Sequence, residues 1–180
     1  MFTIREEKIY QVKLNDGREI DFVVTDEDDE TYRLESRDCL GEYVPATRLD
    51  EWLADLWENQ FPAELKERIV PTQRKHKPYR GKVIEETRNL FLPSAAEIFP
   101  EEDCYGDEGL YEQMEYYKVP QNRIRCKQKG DPYPDWYWTS SAYSGISTNW
   151  CYTGSYGAAA SYNATYTSIA APVCFRIRKS

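Results

Sequence analysis

The sequence predicts one α+β domain, with short antiparallel strands and two or more helices packed on a small sheet. Hydrophobic and polar residues alternate near the N-terminus, apolar residues recur every three or four positions after Thr47, and alternation returns at Val173 to Ile177. The chain of 180 residues is long enough for one domain with a substantial core and short for two. We therefore treat residues 1–180 as a single domain.

Residues 1–45 are predicted to form an N-terminal β-hairpin region. Ile9 to Leu14 alternates as a strand does, and Asp16-Gly17 follows, a pair that tolerates the positive φ of a tight hairpin turn. Ile20 to Val24 continues into a second strand. A third strand is expected through Tyr32 and Leu34.

Residues 46–100 are predicted to form a helical scaffold. An apolar stripe with the spacing of an amphipathic helix follows Thr47; its members are Leu49, Trp52, Leu53, Leu56 and Trp57. Pro62 suits the first turn of a second helix carrying Leu65 and Ile69, which Pro71 ends. Ser94 and Glu97 have the spacing of a capping box at a further helix start.

Two other segments carry weaker patterns. Leu110 to Tyr117 is predicted as a further short helix, because its apolar residues fall on one side. The basic run Gln73 to Lys77 is predicted as a solvated loop.

Charge and hydropathy exclude several classes of protein. The net charge of -8 argues against a nucleic-acid partner, because binding to phosphate backbones needs a positive surface. The sequence has no apolar run long enough to cross a bilayer, and Met1 to Glu7 does not begin a signal peptide. We expect no membrane insertion, and a cytoplasmic or phage-particle location.

The chemistry-bearing residues do not predict an enzyme. His76 is the sole histidine, so a Ser-His or Cys-His pair would have to form around it. The chain has five cysteines, an odd number, and no CxxC pair. We therefore expect reduced, mostly buried thiols. The sequence also allows a disulfide bond between Cys104 and Cys126 or between Cys151 and Cys174. No cofactor or metal is expected.

The C-terminal third differs from the rest of the chain. No charged residue or histidine occurs from Trp136 through Phe175, although 30% of the whole chain is charged. Tyrosine mixed with Ser, Gly and Asn is typical of antibody combining sites, because tyrosine offers a large amphipathic contact area at low conformational cost. The expected aromatic anchors are Tyr143, Tyr152, Tyr156, Tyr162 and Tyr166.

These residues resemble a known family. The run Trp136 to Ser141, the charge-free stretch and the closing run Ala171 to Ile177 are similar to the C-terminal region of variable proteins from diversity-generating retroelements. The middle of the chain, with Leu49 to Leu53 and Phe91 to Glu97, is similar to bacterial lectin-fold domains. The resemblance implies a C-type-lectin-like fold.

In that family, adenine-directed mutagenesis turns AAY codons into NNY codons, which never encode Lys, Glu, Gln, Met or Trp. From Tyr143 to Ser168, Trp150 alone lies outside the amino acids found at such codons. The resemblance therefore implies that residues 133–178 form a variable region that binds an unknown protein or other macromolecular ligand. The implied ligand-binding residues are Tyr143, Ser144, Ser147, Thr148, Tyr152, Thr153, Ser155, Tyr156, Ser161, Tyr162, Asn163, Tyr166 and Ser168.

The resemblance also assigns a scaffold and leaves one alternative. The implied scaffold residues are Trp136, Trp138, Trp150, Gly154, Gly157 and Phe175. Calcium-dependent sugar-binding relatives use carboxylate-containing triplets, which this stretch lacks, so calcium-dependent sugar binding is not expected. The alternative function is a lectin-fold structural module of a phage or bacterial surface assembly, in which the polar stretch forms a fixed subunit interface.

Overall fold

A computed structural model describes residues 8–180 and shows a mainly β protein, with 35% strand and 20% helix. Residues 1–7, which bear on the prediction about a signal peptide, lie outside the described residues. Several antiparallel sheets form a curled half-barrel. No helix in the described part of the chain is long and apolar enough to cross a membrane.

The largest sheet has five strands, each pair of neighbours antiparallel. Their spatial order is β1-β2-β3-β12-β4, so the C-terminal strand lies between the third and fourth strands of the chain. The predicted N-terminal hairpin and third strand are confirmed. The strands are β1 (Ile9–Lys13), β2 (Glu19–Glu27), β3 (Thr31–Ser36), β4 (Ile69–Val70) and β12 (Cys174–Arg178).

The remaining strands form three smaller antiparallel sheets. One has three strands in the order β11-β10-β9, and the others are the pairs β5-β6 and β7-β8. The strands are β5 (Thr72–His76), β6 (Ile84–Arg88), β7 (Arg125–Cys126), β8 (Pro134–Asp135), β9 (Tyr137–Ala142), β10 (Asn149–Thr153) and β11 (Ala159–Asn163).

The predicted amphipathic helix is confirmed and is the one long helix of the described residues, with 15 residues. It begins with a 3-10 turn at Ala46–Arg48, continues as α1 (Leu49–Asp55) and ends in a π-helical turn at Leu56–Gln60. Its apolar stripe is buried against the core of the five-stranded sheet. There the rings of Phe22, Phe61 and Phe175 meet edge to face, with centroids 5.0 to 6.5 Å apart.

The predicted α+β, C-type-lectin-like fold class, with two or more helices packed on a small sheet, is wrong. The other helices are single turns, α2 (Ala63–Lys66) and α3 (Ala95–Ile98), although the capping box of α3 is present as predicted. Short 3-10 turns lie at Glu101–Asp103, Glu115–Lys118 and Pro120–Arg123. Runs this short cannot outweigh the cost of starting a helix, so packing and turns decide their conformation.

The predicted helical scaffold over residues 46–100 is therefore helical only in part. Ile69 lies in β4 rather than in a second helix, and Leu110 to Tyr117 forms a helix only in its final 3-10 turn. The run Gln73 to Lys77 is not a solvated loop, because most of it forms β5. Basic residues of β5 face acidic residues of β6, as in the pair Lys75 and Glu85, and such cross-strand pairs stabilise a sheet.

A buried ion cluster ties these layers together at Glu97, which caps α3. Arg33 of β3 and Arg74 of β5 contact its two carboxylate oxygens at 2.6 and 2.7 Å. Both guanidinium groups also lie over the ring of Phe91. Burial disfavours ionisation of Glu97, but the two arginines outweigh burial and hold its pKa well below the ordinary value.

Two more buried carboxylates extend the cluster. Glu35 accepts from Arg33 at 2.8 Å and from Arg125 at 3.0 Å, and the Tyr117 hydroxyl donates to it as well. Asp107 accepts from Ser141 of β9 at 2.6 Å and from other donors near α3 and β5. The cluster thus fixes β9, and with it the three-stranded sheet, against the body of the protein.

Candidate functional site

The charge-free segment forms most of the three-stranded sheet and the loops at its ends. β10 is the central strand, paired with β9 on one side and β11 on the other. β11 is an edge strand of partly or fully exposed small and polar residues. An uncharged edge strand leaves backbone groups open to a partner, which is one route by which a sheet binds an extended peptide.

A continuous row of aromatic rings runs from the core to the surface of this sheet. Tyr152 meets buried Trp138 edge to face at 6.2 Å and stacks on Trp136 at 4.9 Å. Trp136 in turn lies 6.5 Å from Tyr162, whose ring is 4.4 Å from that of Tyr166. We call Trp136, Tyr162 and Tyr166, which are all partly exposed, the aromatic face.

The aromatic face combines a rigid base with free polar groups. Trp138 is fully buried and Tyr152 is 9% exposed, so the row is anchored in the core. Tyr162 is 41% exposed. In the described part of the chain, the hydroxyls of Tyr162 and Tyr166 make no hydrogen bond. A surface of this kind is suited to recognition, because preplaced rings lose little conformational freedom on contact.

Tyr43 extends this surface from a different part of the chain. Its side chain is 43% exposed, and its hydroxyl donates to Asp135 at 2.7 Å. That hydrogen bond raises the pKa of Tyr43 to about 12, and nearby Tyr166 contributes a smaller effect in the same direction. The Lys127 ammonium lies 4.1 Å from the Tyr43 ring centroid. The aromatic face therefore has a polar, charged border.

Two implied ligand-binding residues are buried, and the prediction is wrong for them. Thr153 is 0% exposed and Tyr152 is 9% exposed, because β10 is central in its sheet and is covered by protein on both faces. Their amino-acid types resemble those of the exposed neighbours. Composition alone did not show that they belong to the core.

The other implied residues lie in three places rather than on one flat face. The β9–β10 loop carries four of them, Tyr143, Ser144, Ser147 and Thr148. The turn between β10 and β11 carries Ser155 and Tyr156, the latter 92% exposed. β11 and the segment after it carry the rest, Ser161, Tyr162, Asn163, Tyr166 and Ser168.

The first and third of these places are in contact. The backbone of Ala164 donates to Thr148 at 2.9 Å, which holds the β9–β10 loop beside the end of β11. Ser144 and Tyr143 lie at the far side of that loop, where Tyr143 meets Tyr105 edge to face at 6.1 Å. The turn that carries Tyr156 is at the opposite end of the hairpin.

The scaffold residues lie largely as the resemblance implied. Trp138 and Phe175 are fully buried, and the Trp150 indole donates to Thr139 O at 2.7 Å. Gly157 has φ +79° and lies where an added Cβ would come within 3.3 Å of Pro120 O. Trp136 is an exception, because it is partly exposed and joins the aromatic face.

Tyr43 and Tyr105 are the surface residues that the sequence interpretation missed. Both lie outside the charge-free segment, and each is an isolated tyrosine in its part of the sequence. No periodic pattern marks either one. Only the folded arrangement brings them beside Tyr166 and Tyr143.

The cysteine thiols of the described residues are not activated for nucleophilic chemistry. All five cysteines are free, and four are buried. Burial raises the pKa of the Cys39, Cys151 and Cys174 thiols, so these groups are protonated and poor nucleophiles at neutral pH. Within residues 8–180, no group of three His, Cys, Asp or Glu side chains could hold a metal ion.

Comparison with known proteins assigns the family. No curated protein and no solved structure matches the chain. Residues 41–179, which include the whole three-stranded sheet, match the family described as Domain of unknown function (DUF6273). The matched region excludes β1, β2 and β3, yet β3 pairs directly with β12 inside it. The chain belongs to the DUF6273 family.

Proposed function

We propose that this protein is a non-enzymatic binding protein that recognises a protein ligand through its aromatic face and the adjoining β9–β10 loop. The observation that carries the proposal is the row of rings from buried Trp138 to exposed Tyr162 and Tyr166. Aromatic residues on rigid supports supply much of the binding energy of protein interfaces.

The lack of charge favours a protein over a nucleic acid as the ligand. The segment from Trp136 to Phe175 has no basic side chain to contact phosphates, and the whole chain carries a charge of -8. The uncharged edge strand β11 lies beside the aromatic face and offers backbone groups to a peptide. Binding of this type should depend little on salt, since few ion pairs would be screened.

We further propose that a retroelement diversifies the exposed positions of this surface. Every exposed residue between Tyr143 and Ser168 belongs to the amino acids found at NNY codons, and Trp150, the exception in the segment, is partly buried. On this proposal Tyr152 and Thr153 are constant despite their residue types. The variable positions are the exposed ones where the β9–β10 loop lies beside the end of β11.

A first experiment tests whether the fold accepts such diversity. Tyr162, Asn163 and Tyr166 are randomised with NNY codons in one displayed library, and Tyr152 with Thr153 in another. We expect most members of the first library to remain folded, as measured by protease resistance, and most of the second to be degraded. Equal loss of both libraries would contradict the proposal, because the exposed positions would then be structural.

A second experiment tests ligand recognition. Cell-surface and phage-particle proteins are captured with the wild type, with Tyr162→Ala/Tyr166→Ala, and with Tyr10→Ala as a matched control. Tyr10 is 40% exposed, close to the 41% of Tyr162, but lies on the distant strand β1. We expect the wild type and the Tyr10→Ala control to keep a ligand in 0.5 M salt, where the Debye length is only about 4 Å, and the double variant alone to lose it. Retention by the double variant would contradict the assignment of the aromatic face.

Genomic context tests the diversification separately. A nearby reverse-transcriptase gene and a second copy of the segment, differing at adenines, would support it. If both are absent while the double variant still loses its ligand, the surface is a fixed interface, as in a subunit of a larger assembly.

A further inference from the structure

A concave region lies beside the aromatic face, and Trp150 in its wall pairs with Tyr162 across β10 and β11. It is a cavity of about 340 Å³ between α1, the β5–β6 hairpin and β10. One wall is apolar and includes buried Leu53, Leu90 and Leu92, together with Trp150. The Trp150 indole is held in place by its hydrogen bond to Thr139 O. The cavity therefore has a preformed apolar wall with an aromatic ring.

The opposite wall is polar and comes mainly from the β5–β6 hairpin. Arg88 uses one terminal nitrogen, Nη2, to contact Glu86 at 2.9 Å and Asp50 at 3.1 Å. His76 Nδ1 lies 3.5 Å from the same Glu86 carboxylate. The acidic groups of this wall, Glu86 and Asp50, are thus already paired with Arg88.

Donor groups on this wall remain available. In the described part of the chain, Arg88 Nε and Nη1 have no hydrogen-bond partner. The Arg88 side chain is 27% exposed, so a ligand can reach these donors. With the carboxylates of Glu86 and Asp50 paired with Nη2, the free hydrogen-bonding capacity of the guanidinium selects an acceptor, and a negatively charged acceptor best.

We propose that this cavity binds a small amphipathic carboxylate, with its apolar body against Trp150 and its carboxylate at Arg88. Small-molecule sites combine an apolar lining with a few placed polar groups in this way, and a volume of about 340 Å³ is within their usual range. The lining of the cavity includes no residue of the aromatic face, so the proposal does not depend on the function proposed for that face.

The test uses three probes of one shape and different charge. These are 3-phenylpropionate, its neutral amide 3-phenylpropanamide, and the cation 3-phenylpropylammonium. Binding is measured by calorimetry and by the shift of the Trp150 indole resonance on the full chain. We expect saturable one-site binding of 3-phenylpropionate and no binding of the cation. The amide should bind at least about tenfold more weakly than the acid, which corresponds to the loss of one charge-assisted hydrogen bond.

A matched pair of variants locates the site. Ile84 and Val83 are neighbours in sequence, 43% and 46% exposed, but only Ile84 lines the cavity. Ile84→Glu should weaken 3-phenylpropionate binding at least about tenfold through charge repulsion, whereas Val83→Glu should leave it unchanged. Arg88→Gln should also weaken binding, and thermal melting shows whether that variant stays folded.

Three results would overturn the proposal. The first is no saturable binding of 3-phenylpropionate. The second is equal affinity for the acid and the amide, which would show that no charged contact forms. The third is an equal effect of Ile84→Glu and Val83→Glu, which would place the probe outside the cavity.

Discussion

Replacing Tyr152 by alanine should destabilise the fold strongly, whereas the same change at Tyr162 should not, although both tyrosines lie in the same charge-free segment. Tyr152 is 9% exposed and stacks on Trp136 at 4.9 Å with an interplanar angle of 28°. It also meets Trp138 edge to face. Removing a buried ring of this size costs roughly 3–5 kcal/mol, because lost contacts and the cavity left behind add together.

Tyr162 offers the matched comparison. It is 41% exposed, and it makes tilted contacts with Trp136 and Tyr166. Loss of such partly exposed ring pairs costs about 1 kcal/mol. Urea unfolding followed by circular dichroism measures both values. In thermal melting, Tyr152→Ala should lower Tm by roughly 6–20 °C in a chain of this length.

A double-mutant cycle locates the energy in the ring stack. Tyr152→Ala and Trp136→Ala, alone and together, should show a coupling free energy of about 0.5–1.5 kcal/mol. Equal destabilisation by Tyr152→Ala and Tyr162→Ala would refute the reasoning, since it would mean that the two rings are not divided between core and surface. A coupling energy of zero would refute the stack itself.

Two further predictions concern the scaffold. Glu97→Gln should destabilise the fold by roughly 3–5 kcal/mol at pH 7, because Arg33 and Arg74 lose a buried counter-charge. The pKa of Glu97 is lower in the folded chain than its ordinary value of 4.5, so its contribution to stability is complete above pH 4.5 and is lost progressively as pH falls below it. Urea unfolding at pH 7 and at pH values below about 4 should therefore show a smaller difference in unfolding free energy between the wild type and Glu97→Gln at the lower pH. Gly106→Ala should cost about 1–3 kcal/mol, since its Cβ would overlap the carbonyl oxygen of Ala142, while Gly154→Ala meets only an ordinary contact at 3.6 Å and should cost less in the same assay.

Local patterns predicted several elements correctly. The N-terminal alternation with Asp16-Gly17 formed the expected hairpin, and the stripe from Leu49 formed the expected helix. The capping box of Ser94 and Glu97 is present as well. Each pattern depends on residues close in sequence, so its structural consequence does not require the rest of the fold.

The errors have a common cause in long-range contacts. Most of the run from Gln73 to Lys77 forms a strand because β6 supplies acidic partners across the sheet. The weak helical pattern at Leu110 to Tyr117 is overridden by packing, and most of the run is not helical. The predicted balance of helix and strand was wrong for this reason, since short segments with weak preferences follow their tertiary partners.

By itself the sequence determined the charge-free composition of the C-terminal segment, the N-terminal hairpin and the long helix. Only the tertiary structure decided which tyrosines are buried, because Tyr152 and Tyr162 have the same chemistry and differ only in strand position. The structure also brought Tyr43 to the aromatic face and Trp150 to a cavity with Arg88. Burial is a property of the neighbours that a residue meets, and those neighbours are distant in the chain.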